Sequence, residues 1–267
     1  MESQELETIC GQAREVVALA ATFIREQIGM VASEDIEEKG LHDLVSYVDT
    51  TSEEMLVAGL GPLIQDATFL TEEGMSIMLV SDYKWIIDPL DGTTNFLHGL
   101  PCFSISVALE YKGEYQLGIV YEINQDECFY AWKGGGAWLN EKRIKPREVG
   151  DLHQCLLATG FPFHDYSRME SYLKALEVFM RNTRGLRRFG SAAVDLAYVA
   201  CGRFDAYFEY RLNPWDIAAG AFIVLEAGGK VSDFKGGSTF QDGSEILASS
   251  AALYPEMLSK VQEAFKV

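Results

Sequence analysis

The chain has 267 residues, enough for one large domain or two small ones and long enough to bury a sizeable core. Its 48% hydrophobic and 23% charged residues describe an ordinary globular protein and exclude a disordered one. Forty acidic residues against 22 basic ones give a net charge of −18, which argues against a nucleic-acid backbone as the main partner, because phosphate backbones require clustered Lys and Arg.

The N-terminal Met1-Glu2-Ser3-Gln4-Glu5-Leu6-Glu7 has no basic start and no following apolar block, so no signal peptide is expected. Leu6, Ile9, Ala13, Val16, Ala20, Phe23, Ile24 and Ile28 form a helical stripe over residues 3–29, with Gly29 as its stop. Glu34 to Lys39 reads as a charged loop. Thr51, three residues before Glu54, fits a capping box that would open a helix running to Leu60. Asp49 then falls just before that helix. Ala67 to Leu70 is a short strand candidate, and Glu72-Glu73 follow it.

Trp85-Ile86-Ile87-Asp88-Pro89-Leu90-Asp91-Gly92-Thr93-Thr94-Asn95-Phe96 reads as a buried strand ending in a turn that opens a helix. Phe103, Ile105, Val107 and Leu109 alternate with small or polar residues, as a strand does. Tyr115–Tyr121 and Glu127–Trp132 continue an antiparallel meander, with Ala137 to Asn140 as another short piece. Leu152 to Thr159 reads as a strand. Met169, Tyr172, Leu173, Leu176, Phe179 and Met180 share a helical face, and Arg181, Arg184, Arg187 and Arg188 form a basic patch. Ser191 caps a helix to Ala200 that Gly202 ends. Phe204–Phe208, Lys230–Phe234 and Ile246–Ala248 are strands, and Trp215–Ala227 and Ala252–Phe265 are helices. The expected fold is a layered α/β arrangement with a mixed, partly antiparallel sheet.

Two aspartates at the end of an apolar strand, followed at once by Gly-Thr-Thr, suit a divalent metal held by oxygens next to backbone N–H groups that can receive a phosphate. An ordinary Asp-Pro, Asp-Gly turn is the alternative for that stretch alone. Glu72-Glu73 could be a solvated turn. Asp216, in Pro214-Trp215-Asp216-Ile217-Ala218-Ala219-Gly220, could be a helix cap or a ligand, and Asp49 a surface or capping acid. The histidines His42, His98, His153 and His164 lack zinc spacing, and no P-loop or Gly-x-Ser-x-Gly elbow occurs. The five cysteines are odd in number and without CxxC spacing, so reduced thiols in a cytoplasmic protein are expected. Cys102, beside the aspartate motif, reads as a packing residue.

Taken together, Asp-Pro-Leu-Asp-Gly-Thr-Thr-Asn-Phe, the later Trp-Asp-Ile-Ala-Ala-Gly, the upstream Glu72-Glu73, Gly190-Ser191-Ala192-Ala193 and Asp205-Ala206-Tyr207-Phe208-Glu209 resemble the inositol monophosphatase family of metal-dependent, lithium-sensitive phosphatases. The resemblance covers nearly the whole chain, and Gly160-Phe161-Pro162-Phe163 looks like its bacterial branch. It implies a single phosphatase domain over residues 1–267, with approximate halves 1–150 and 151–267, folded as an α-β-α-β-α sandwich. It implies two to three Mg²⁺ ions: Glu72, Asp88 and the Leu90 carbonyl would bind the first, and Asp88, Asp91 and Asp216 the second. A third, weaker ion would use Glu72 and water.

The resemblance also implies roles. Thr93 and Glu72 would position the attacking water, with Asp49 bonded to Thr93. The N–H groups of Gly92, Thr93 and Thr94 would hold phosphate oxygens. Asp91, Gly190, Ser191, Ala192, Glu209 and Asp216 would line the leaving-alcohol side, with Arg187 as a candidate for the rim. Four carboxylates this close should show raised pKa values without cations. The substrate expected is a small phosphate monoester, myo-inositol 1-phosphate first; relatives with the same metal core act on fructose 1,6-bisphosphate, histidinol phosphate or 3′-phosphoadenosine phosphates. A homodimer is implied, with neither nucleic acid nor membrane as partner. The rival of a different class is a regulatory or binding protein that retains the fold without catalysis.

Overall fold

The computed structural model describes residues 1–40, 43–74, 81–162 and 165–267; His42, Phe163 and His164 lie outside the described residues. Its helices are α1 (Ser3–Glu26), α2 (Tyr47–Leu60), α3 (Thr93–Leu97), α4 (Met169–Asn182), α5 (Ala192–Ala200), α6 (Pro214–Glu226) and α7 (Tyr254–Phe265). Its strands are β1 (Ile36–Gly40), β2 (Asp43–Ser46), β3 (Thr68–Thr71), β4 (Tyr83–Asp91), β5 (Ser104–Tyr111), β6 (Glu114–Glu122) and β7 (Glu127–Trp132), followed by β8 (Gly136–Leu139), β9 (Lys142–Arg143), β10 (Leu156–Thr159), β11 (Gly185–Arg187), β12 (Ala206–Tyr210), β13 (Lys230–Ser232) and β14 (Glu245–Ser249).

The alternation read in β5 sets the layering. Ile105, Val107 and Leu109 face one way and pack with Ile9, Ala13 and Val17 of α1 and Leu56 of α2. Ala108, Ile86 and Val120 face the other way, onto α5 and α6. Because helices cover both faces, even the small residues between the large ones are buried. The first sheet has the order β3-β4-β5-β6-β7-β8-β9, parallel only between β3 and β4. The second has the order β11-β10-β12-β14-β13, with β11, β10 and β12 parallel and the other pairs antiparallel.

The helices α5 and α6 lie between the sheets, with Leu196 and Ile223 in one core with Tyr207 and Ile246 of the second sheet. The far face of that sheet (Leu157, Phe208, Leu247) packs on Phe179 of α4 and Met257 and Val261 of α7. The result is a five-layer α-β-α-β-α sandwich, as the family resemblance implied. At Gly118 in β6 a methyl would stand 2.8 Å from the carbonyl oxygen of Ala219, so the missing side chain lets α6 approach the sheet.

Three expectations need correction. The cap expected at Thr51 lies five residues earlier, at Ser46, and the helix starts at Tyr47: the Ser46 hydroxyl accepts from Val48 N–H, and Asp49 Oδ2 accepts from the Ser46 N–H at 2.8 Å. Asp49 is therefore inside α2, because the Ser46/Asp49 box takes the cap that Thr51/Glu54 was expected to supply. Glu34 to Lys39 is not a loop: a 3₁₀ turn (Ser33–Asp35) leads into β1 at Ile36, which pairs antiparallel with β2, so pairing overrides the charged composition. Leu152 to Thr159 divides into a 3₁₀ turn (Leu152–Gln154), opened by Asp151 accepting from His153 N–H, and β10.

Candidate active site

Strand β4 carries the acids to one end of the first sheet. Asp88 is 1% exposed and pairs with Ser106, after which the register slips before Asp91 meets Ser104. That bulge turns the chain, and Gly92 continues the turn with φ +97°, a left-handed conformation for which glycine is suited. The helix α3 opens immediately afterwards, so its first N–H groups have no acceptor within the helix. The parallel pairing of β3 with β4, extended by Glu72 N–H donating to the Ile87 carbonyl, sets Glu72 beside Asp88.

Each of the three aspartates is anchored through one oxygen. The Leu90 N–H donates to Asp88 Oδ1 at 3.0 Å. Asp91 Oδ2 accepts from the Ser191 hydroxyl at 2.6 Å and from Ala193 N–H at 2.8 Å. Asp216 Oδ2 accepts from Asn213 N–H at 2.7 Å. Asp91 and Asp216 line the cleft, and Asp88 lies buried behind them with Glu72 within hydrogen-bond reach.

The electrostatics of the three agree. Burial pushes Asp88 well above the usual carboxylate range, and Glu72, Asp91 and Asp216 add to it. Burial raises Asp91 to about 6 against its hydrogen bonds to Ser191, Ala193 and Ala192. Asp216 is raised by burial, then by Asp91 and Glu72. The rise expected from mutual repulsion is present, with burial as its larger cause. Asp88 and Glu72 lie within hydrogen-bond reach, and two carboxyl groups so placed need a proton or a cation between them. Among the described residues no three such side chains converge as a formed cation cage. The donor set is nonetheless the all-oxygen kind that suits a hard divalent ion, and the close Asp88–Glu72 carboxyl pair is where such an ion would replace a shared proton.

Thr93 stands between Asp49 and Leu90: its hydroxyl lies 3.0 Å from Asp49 Oδ1 and 2.9 Å from the Leu90 carbonyl, and its single proton serves one of them at a time. Asp49 is fixed by the Ser46 N–H and hydroxyl, both at 2.8 Å, and burial raises its pKa against those bonds.

The opposite wall comes from α5, β12 and the start of α6. Gly190, Ser191 and Ala192 line the cleft with Asp91, Gly92, Thr93, Thr94, Glu209 and Asp216. Glu209 is 8% exposed; its Oε2 accepts from the Tyr207 hydroxyl at 2.5 Å, and burial raises it to about 7 despite that bond. A methyl placed on Gly160 would fall on the Glu209 carboxylate, so the bare glycine is where that group lies. Arg187 is not at the rim. Its guanidinium donates to the Leu186 carbonyl on β11, and the arginine lining the cleft is Arg188, the first residue past the end of that strand.

Several contributors carry no local signal in the sequence. The Asn95 amide donates to the Cys102 carbonyl at 2.8 Å and the Phe189 carbonyl at 2.7 Å, joining the two walls. Glu53, one turn after Asp49 on α2, accepts from the Thr71 hydroxyl and Glu73 N–H, which fixes the segment carrying Glu72. Ser52 between them donates to the Pro89 carbonyl at 3.1 Å. For α2 a signal does exist, the acidic pair Asp49 and Glu53 at helical spacing, but it shows only once the helix start is placed at Tyr47. Cys102 contributes through its carbonyl, and all five cysteines are free thiols. His98 is exposed beside α3.

Known proteins resemble this chain in both architecture and sequence. Nus factor SuhB of Pseudomonas aeruginosa is 41% identical over 232 residues, covering 85% of this chain and 86% of that protein. The crystal structure of extragenic suppressor protein suhB from Bartonella henselae superposes with a TM-score of 0.92 at 36% identity, over 96% of this chain and 99% of that one. The Thermotoga maritima IMPase superposes with a TM-score of 0.85 at 36% identity, over 94% and 96% of the two chains. The sequence profile of the inositol monophosphatase family matches residues 5–266, nearly the whole length; the chain belongs to the inositol monophosphatase family.

Proposed function

We propose that this chain is a Mg²⁺-dependent phosphatase that hydrolyses myo-inositol 1-phosphate, or a closely related polyol phosphate, to the free alcohol and inorganic phosphate. The observation that carries the reading is the set of three aspartates, Asp91 and Asp216 lining the cleft with Gly92, Thr93, Thr94 and Glu209, and Asp88 buried behind them beside Glu72. Glu72, Asp88 and the Leu90 carbonyl would hold one ion, and Asp88, Asp91 and Asp216 a second, with a third using Glu72 and water. When bound, such ions lower the pKa of water and offset charge on the leaving oxygen.

The remaining work falls to the chain. Thr93, held by Asp49, and Glu72 orient the attacking water toward phosphorus. The N–H groups of Gly92, Thr93 and Thr94 receive the non-bridging oxygens. Gly190, Ser191, Ala192 and Glu209 receive the alcohol, with Glu209 accepting from a hydroxyl. The protein is expected to act as a homodimer in the cytoplasm.

The test is phosphate release from inositol 1-phosphate, fructose 1,6-bisphosphate, histidinol phosphate and 3′-phosphoadenosine 5′-phosphate, with and without Mg²⁺ and Li⁺. Turnover of the first, dependent on Mg²⁺ and suppressed by Li⁺, is expected. Release from none of them overturns the enzymatic reading. A second reading, a regulatory protein on this fold, is favoured by the relative named Nus factor SuhB. The two separate cleanly: a regulatory function survives Asp91→Asn, and a catalytic one does not.

A further inference from the structure

The carboxyl of Asp195 has no task in this scheme. It belongs to α5, one turn beyond the cap Ser191, and is 2% exposed. It lines the cleft with Glu209 and Arg188, and its Oδ1 is buried without a hydrogen-bond partner.

Other buried acids of the molecule show what a structural carboxylate looks like here. Asp205 takes both Nε and Nη2 of Arg147 at 2.8 Å and the Leu156 N–H at 2.7 Å. Asp233 accepts from the N–H groups of Lys235 and Gly237, both at 2.8 Å, and from the Thr239 hydroxyl. Glu53 holds Thr71 and Glu73. A buried polar group left without such partners costs stability. The favourable site for an acid in the first turn of a helix is worth about 0.3–1 kcal/mol at an exposed position, and it requires no burial inside a cleft.

The surroundings make the position costlier still. Burial holds the Asp195 carboxyl well above its usual range, with Glu209 and Asp91 raising it further and Arg188 opposing them. Glu209 itself has one oxygen engaged by Tyr207, which leaves the other for a ligand. The alcohol wall thus holds two carboxyl groups with unspent hydrogen-bonding capacity, and the soft terminal torsion of an aspartate can turn either oxygen toward the cleft.

We infer that Asp195 is a specificity-determining residue that, together with Glu209, accepts hydroxyl groups of the leaving alcohol, so that the cleft selects phosphate esters of polyhydroxylated alcohols over esters of simple alcohols or phenols. The inference rests on the phosphatase reading and adds to it a residue, beyond Glu209, that reads the alcohol. A site built to bond a hydroxyl discriminates strongly against an analogue lacking it, because its own polar groups are then left unpaired.

The experiment measures kcat and KM of the Mg²⁺-loaded wild type, Asp195→Ala and Asp195→Asn on inositol 1-phosphate and on p-nitrophenyl phosphate, whose leaving group carries no further hydroxyl, and the Tm of each protein at pH 8. For Asp195→Ala, kcat/KM on inositol 1-phosphate is expected to fall about 10- to 100-fold while the value on p-nitrophenyl phosphate stays within about twofold, with Asp195→Asn in between. Both variants should melt at or above the wild-type temperature, since each removes an unpaired buried carboxyl. An equal loss on both substrates, a lowered Tm in both variants, or no loss on either substrate overturns the inference. A wild type that releases phosphate from neither substrate overturns the phosphatase reading itself, and the inference falls with it.

Discussion

The two walls of the cleft are built on different principles. The wall carrying Asp88 and Asp91 is nearly continuous in sequence: one strand, a bulge, a glycine and a short helix. The acids are tied down there, Asp88 by the Leu90 N–H and Asp91 by Ser191 and Ala193, while Asp49 reaches in from α2 to Thr93. The wall facing it is gathered from residues 160, 188–195 and 209–216, and its acids Glu209 and Asp195 keep oxygens free of protein donors. Chemistry that is the same for every phosphate ester suits the anchored wall. Selection among alcohols needs unspent hydrogen-bonding groups, which the other wall has.

The largest effect should come from the place where the walls share a residue. Asp91 belongs to the first wall and is held by Ser191 and Ala193 of the second. Asp91→Asn removes the charge and keeps the shape. Phosphate release in saturating Mg²⁺ should drop by about 10³-fold or more, on the scale of losing several kcal/mol of charge stabilisation. A variant within tenfold of wild type would falsify the assignment of Asp91 to a metal. Next comes Asp49→Asn, which removes the carboxylate facing Thr93 and leaves the hydroxyl to the Leu90 carbonyl. Here kcat should fall about 10²-fold with KM nearly unchanged, the signature of a group that positions a reactant in the transition state. A raised KM with normal kcat would instead place Thr93 in substrate binding alone.

The same contrast decides what the sequence could reveal. The junction that holds Asp88, Leu90, Asp91, Gly92 and Thr93 was legible because these residues are adjacent, and a strand-turn-helix reading follows from apolar run, Gly and Thr. The layers were legible because β5 alternates and α1 carries one apolar stripe. Asp195 and Arg188 were not, since nothing local distinguishes a helix-start acid or one arginine of four; only the parallel pairing of β10 with β11 and β12 brings them to the cleft. The α2 start was misjudged because two capping boxes competed within a few residues and the one nearer the strand prevailed. The charged strand β1 exists through its pairing with β2, which composition does not report.

Glu209 allows the selective wall to be tested by stability rather than rate. Its carboxyl is held at about 7, chiefly by burial, while an unfolded glutamate ionises near about 4.3. The folded state therefore binds the proton more tightly, and its stability advantage is complete below the unfolded pKa and lost as pH rises through about 7. Glu209→Gln removes that titration. Relative to wild type, the metal-free variant should gain on the order of 2 kcal/mol between pH 4 and pH 8, since each tenfold difference in proton affinity is worth about 1.4 kcal/mol before water entering the cleft softens it. Urea unfolding at the two pH values reads the difference. A flat difference would show that Glu209 ionises freely in the fold, and the notion of a wall kept costly for selection would lose its support there.

The smallest effect should come from Gly92, where the walls nearly touch. With φ at +97°, a methyl at this position would stand 3.1 Å from the carbonyl oxygens of both Cys102 and Gly190. The first belongs to the loop that follows α3, the second to the segment that delivers Ser191. Gly92→Ala should cost about 1–2 kcal/mol from the left-handed backbone alone, read as a lowered urea midpoint with an unchanged m-value. The added methyl also pushes against Gly190 just ahead of Ser191, so KM for a polyol phosphate should rise, while Asn95, which bonds the carbonyls of Cys102 and Phe189, limits how far the walls separate. If stability falls but KM and kcat keep their wild-type values, Gly92 serves the turn alone and the spacing between the walls is set by Asn95.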